Sequence, residues 1–137
     1  MVAFNKHNVF TENVAEKVHN LGADALTVAL CAVAPVAANS VLADLTQIAY
    51  TNLSARTVTI STSAQTAGVY KLVCADLVLT ASGAVATFRY VDLYNDTPTS
   101  PADPLIGWYD YGSSVTLANG ETFTIDFDQS GGVLTIT

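Results

Sequence analysis

The sequence is short of basic side chains. Lys and Arg total 5 against 12 Asp and Glu, for a formal net charge of −7 in 137 residues. Phosphate recognition needs clustered Lys and Arg. Lys6, Lys17, Arg56, Lys71 and Arg89 are scattered along the chain, which speaks against a nucleic-acid partner. Charge of either sign is sparse, at 12%, where about a quarter is usual. A surface poor in charge is suited to contact. Cys31 and Cys74 are the only cysteines, too few for a disulfide framework and without zinc spacing. They read as buried free thiols, with a disulfide between them left open. No glycine-rich phosphate loop and no GxSxG is present. Long hydrophobic runs are also missing. Ala25–Ser40 resembles a signal-peptide core, but Glu12, Glu16 and Asp24 precede it, and it is too short to span a bilayer. This predicts no membrane segment and synthesis in a reducing cytoplasm.

Half of the residues are apolar, and the length suits one domain with a substantial core. The strongest local pattern runs from Pro104 to Phe127. Val115 and Leu117 alternate with polar residues, as do Phe123, Ile125 and Phe127, and Asn119-Gly120 lies between the runs. Period-two alternation puts one set on a core face, and Asn-Gly is the residue pair of a tight hairpin turn. A β-hairpin is predicted here.

In chain order, residues 1–10 read as an arm without its own core. Thr11–Leu21 reads as a helix capped by Thr11, with Val14, Val18 and Leu21 on one face and Gly22 as its stop. Strands are predicted at 26–30, 57–61, 69–73, 76–80, 85–94, 105–111 and 133–137, besides the hairpin. Residues 32–54 form a long irregular connection with a helical turn near Ser40–Asp44, and such loops are usually functional or partner-bound. Asn95–Pro104 holds three prolines and reads as a surface loop. In 85–94, Phe88 and Tyr90 share one face with Asp92 and Tyr94, while Val91 and Leu93 lie on the other. Both faces are partly apolar, as in a strand covered on both sides or meeting a partner. The prediction is an all-β protein, a jelly-roll-like β-sandwich of about eight strands. An N-terminal arm and short helix (1–24) precede the sandwich domain (25–137).

No catalytic constellation emerges. His7 and His19 show no ligand spacing to each other or to either Cys. Asp92, Asp96, Asp103 and Asp110 flank the proline-rich loop and read as a solvated acidic rim, lacking the ordered spacing of a calcium loop. Asp126 and Asp128 are neighbours on one strand end, unlike carboxylates across a glycosidase cleft. Trp108, Tyr109 and Tyr111 suit a core, an interface or a sugar platform. The reading therefore assigns no catalytic residue, no metal and no cofactor.

Four segments carry a resemblance: FNKHNVFTENVAEKVHNLGADALTVAL, QTAGVYKLVCADLVLTASG, FRYVDLYNDT and DPLIGWYDYGSSVTLANGETFTIDF. Together they resemble the small capsid cement, or decoration, proteins of tailed bacteriophages. The resemblance implies a jelly-roll-like sandwich on the outer surface of the virion head. Such a protein bridges neighbouring copies of the major capsid protein and stabilises the shell, after synthesis in the bacterial host cytoplasm. Phe4, Phe10, Tyr90, Trp108 and Tyr109 are the candidate capsid or self-association contacts. Two-sided apolar character in 85–94 favours a dimer, with a trimer as runner-up. The alternative is a phage-borne module for host glycans, or another head or tail structural protein.

Overall fold

The computed structural model describes residues 2–137. Ten strands among the described residues form sheets of five, three and two strands around one core, an all-β, sandwich-like fold. In chain order they are β1 (Asn5–Lys6), β2 (Leu26–Cys31), β3 (Thr57–Val58), β4 (Ile60–Thr66), β5 (Val69–Cys74), β6 (Leu77–Thr80), β7 (Phe88–Asn95), β8 (Leu105–Val115), β9 (Thr122–Ile125) and β10 (Leu134–Ile136). Among the described residues one α-helix, α1 (Val9–Ala15), follows β1, and a single 3-10 turn lies at Leu42–Asp44.

The five-stranded sheet has the order β1-β8-β7-β2-β3, and it is antiparallel throughout. All six residues of β2 are buried. Leu26, Val28 and Leu30 face the main core, where Val28 and Leu30 pair with Leu93 and Val91 of β7. Ala29 lies on the other face in a small cluster with Tyr94 and Leu105, which Leu42 and Leu45 cover. The 32–54 connection therefore roofs the outer face of the sheet. Ile48 N–H bonds the Leu30 carbonyl at 2.9 Å and Leu42 N–H the Asp103 carbonyl at 2.9 Å. The Tyr50 hydroxyl accepts from Leu30 N–H at 3.0 Å and donates to Gln47 at 2.7 Å. Arg56 lies 3.6 Å over the Tyr50 ring.

The opposing layer is split into β10-β5-β4 and β6-β9. The strand predicted at 57–61 breaks at Thr59, with β3 in the first sheet and β4 in the second. Strand β4 runs beyond the predicted end at residue 61, to Thr66. It ends in a two-residue turn at Ala67 (φ 51°) and Gly68 (φ 84°), with Thr66 paired to Val69. Positive φ at both central residues is the type I′ pattern, whose twist matches paired strands.

Asn119-Gly120 does turn the chain, since Glu121 N–H bonds the Ala118 carbonyl at 3.0 Å. It does not close the predicted hairpin: β8 pairs with β7, and β9 pairs with β6. Positive φ occurs only at Gly120 (82°), the pattern of a type II turn, which splays flanking strands. The alternation nevertheless marks the core side correctly, with Leu117, Ile125 and Phe127 buried.

The helix is also displaced from its predicted span. It starts two residues before Thr11 and ends at Ala15. Lys17 (φ 64°) takes the left-handed position expected of Gly22. Val18 N–H bonds the Asn13 carbonyl at 2.8 Å and Lys17 N–H bonds the Val14 carbonyl at 3.3 Å. These reversed bonds satisfy the last turn. The fully buried helix residues are Phe10 and Asn13; of the predicted stripe, Val14 packs half-buried against the core and Leu21 is buried beyond the helix.

Residues 2–24 share the sheet and core of 25–137. Asn5 and Lys6 pair with Trp108 and Gly107, and His7 N–H bonds the Ile106 carbonyl at 3.1 Å. A Cβ on Gly107 would meet the Asn5 carbonyl at 2.6 Å and run into the Phe4 ring, so the arm lies against β8 only because that position is glycine.

Candidate functional site

Strand β7 brings Asp92 to the outer face of its sheet, opposite Ala29 on one side and Trp108 on the other. The arm delivers His7 there. His7 Nε2 and Asp92 Oδ2 are 2.7 Å apart, and both side chains are fully buried. The His7 ring lies 4.6 Å from the Trp108 indole. Asp92 is therefore an interior residue and not part of a solvated acidic rim. Burial pushes its carboxyl above the ordinary range, and the His7 hydrogen bond pulls it back in part.

A second buried polar group joins the segment after the helix to the end of β7 and the proline-rich loop. Asn95 Nδ2 donates to Asp24 at 2.6 Å and lies 3.1 Å from His19 Nδ1. Asn95 Oδ1 accepts from Thr97 N–H at 3.1 Å. Burial lowers the His19 pKa, against the attraction of Asp24. Its imidazole is therefore neutral at neutral pH, with Nδ1 as acceptor and the proton on Nε2.

Neither group offers a nucleophile. Cys31 and Cys74 are free and buried. Burial raises the Cys31 thiol to about 12, with Asp92 adding to the shift, and Cys74 to about 11. Both stay protonated and inert. Among the described residues, no group of three or more His, Cys, Asp or Glu converges as a metal-ligand set. No helix of the described residues is long and apolar enough to cross a membrane.

A cleft of about 720 Å³ opens between the sheets. Val91, Tyr109 and Tyr111 line it from β7 and β8, Phe123 and Ile125 from β9, and Gly132 and Val133 from the turn into β10. Val2, Ala3 and Phe4 lie along it, and Asp126 and Asp128 add carboxylates. The sequence places Asp126 and Asp128 as neighbours but does not show that the arm lines the same cleft. That juxtaposition brings together segments more than a hundred positions apart, and no local pattern carries it.

The five candidate contact residues separate. Phe4 and Tyr109 are half-buried, with ring centres 5.1 Å apart, beside the cleft. Trp108 lies on the opposite face of β8 against His7. Tyr90 is half-buried, with the Arg89 guanidinium 5.3 Å from its ring. Phe10 is a correction: it is 5% exposed, packs 5.4 Å from the His19 ring and belongs to the core. The Trp108–Tyr111 aromatics thus do not form one surface cluster, because alternation sends Trp108 and Tyr109 to opposite faces.

In comparisons with known proteins, no family model, no curated protein and no solved structure matches the chain.

Proposed function

We propose that the protein is a structural component of a bacteriophage virion, a cement protein on the outer surface of the head that bridges major capsid subunits. The observation that carries the reading is where the resemblance falls. The four resembling segments contribute to β1, α1, β2, the end of β4, β5, β6, β7, β8 and β9. A likeness spread over the framework, and not gathered at one pocket, points to assembly and away from chemistry. The acidic, charge-poor composition fits an outer face away from packaged DNA, and many modest contacts repeated around a shell gain strength by avidity. The proposal includes no enzymatic activity, no cofactor and no nucleic-acid or membrane partner. It includes self-association, as a dimer ahead of a trimer.

Purified heads test it. The protein is expected to co-purify with heads, to leave under mild denaturant before the shell opens, and to restore shell resistance when added back. Stripped heads that neither rebind the protein nor lose strength without it would remove the reading. A glycan array tests the alternative of a host-adhesion module.

A further inference from the structure

The cleft has a chemical character that the cement reading does not use. Its aromatic walls are Phe4, Tyr109, Tyr111 and Phe123, and among the described residues its charged lining is acidic, Asp126 and Asp128. Among the described residues, no Lys, Arg or His lines it. Lys71, which acts on Asp128, is itself tied to the Ser130 carbonyl at 2.8 Å. The Gly131 and Ser130 amides hold the Asp128 carboxyl below the usual range, so it stays ionised. Burial, with Asp128 adding to it, pushes the Tyr109 hydroxyl above its ordinary value, so the ring stays neutral. Neutral aromatic faces beside fixed negative charge attract an organic cation with an apolar stem. The volume lies within the range of small ligand sites.

Strand topology narrows the source of that cation. β9 ends the two-stranded sheet and has no partner beyond it. Its residues Phe123, Thr124 and Ile125 line the cleft. A free strand edge accepts an extended segment through main-chain hydrogen bonds, while alternate side chains enter pockets. We infer that the cleft binds an extended segment of a partner protein, with an Arg or Lys side chain seated between the Tyr109 and Tyr111 rings and the Asp126 and Asp128 carboxylates. The inference stands whether or not that partner is a capsid subunit.

The test is a nuclear magnetic resonance titration of the full chain with a short blocked peptide alternating Thr and Val around a central Arg. Its twin carries citrulline, which keeps the shape of Arg and removes the charge. The Arg peptide is expected to shift the signals of Tyr109 and of residues 123–126, and the twin to bind about five-fold more weakly. Asp126 is exposed, so Asp126→Lys is expected to weaken the Arg peptide at least as much while leaving the unfolding midpoint unchanged. Tyr111→Ala, at a side chain 51% exposed, is expected to weaken both peptides. Equal binding of the twin, or full binding by Asp126→Lys, overturns the inference. Equal shifts from tetramethylammonium alone would overturn the assignment to a polypeptide.

Discussion

Asp92 lies opposite Ala29 in the middle of a sheet, where a carboxylate is costly unless partnered. His7 is that partner, 85 positions away in sequence. Removing one member of a buried pair is worse than removing both, because the survivor is left unsatisfied. Asp92→Ala is therefore expected to destabilise by about 3 kcal/mol in urea unfolding. The double replacement His7→Leu with Asp92→Leu should recover most of that loss. His19 contributes in another way. Its folded pKa is lowered, so below the ordinary value near 6.5 the unfolded chain binds more protons than the folded one. Its contribution is complete above that value and is lost as pH falls toward the folded pKa. Unfolding midpoints measured at descending pH should therefore fall more steeply for the native chain than for His19→Gln. A charged residue in an apolar strand was visible in the sequence at Asp92. Its partner was not, since nothing near His7 marks it as interior.

At the scale of elements, side-chain alternation was legible and pairing was not. Leu26, Val28 and Leu30 face the core as their spacing indicates, because period two depends only on the strand itself. Pairing depends on turn geometry and on the rest of the chain. Asn119-Gly120 has the residues of a hairpin turn but connects strands that pair elsewhere, whereas Ala67-Gly68 makes the tight hairpin without the usual residue at its first position. Phe88 illustrates a further limit: a register shift between Phe88 and Tyr90 puts Phe88 in the main core with Val91, against simple alternation. Ala67 holds φ 51°, which Asn tolerates better. Ala67→Asn is expected to stabilise by about 0.5 kcal/mol in the same unfolding assay. Gly107→Ala has the opposite expectation. The Asn5 carbonyl would have to move, so the arm should detach from β8. Amides of residues 5–8 should then exchange faster with solvent while those of β2 and β7 stay protected.

Across the whole molecule, apolar surface is largely covered from within. The outer face of β7, whose two-sided character suggested a partner, is roofed by Leu42 and Leu45. The long connection proved to be a cover, which composition alone does not distinguish from a binding loop. The same connection leaves Val33 (58%) and Val36 (55%) among the most exposed large apolar residues. Under the cement reading these are contact residues. Val33→Asp with Val36→Asp is expected to weaken head retention and self-association, by head binding and sedimentation, without lowering the unfolding midpoint.

Thr59 divides what would otherwise be one strand. On one side of it, the Arg56 carbonyl accepts from Val28 N–H in the first sheet at 3.1 Å, while the Thr59 carbonyl itself accepts from Ala75 N–H beyond β5 at 2.8 Å. Four consecutive residues are thus riveted to both layers. In mechanical terms this is a shear pin. A load on one sheet passes to the other through covalent backbone and not only through side-chain contact, so the layers cannot slide past each other until one of these anchorages tears. A pulling experiment should register that tear as a single force peak, with little sliding before it.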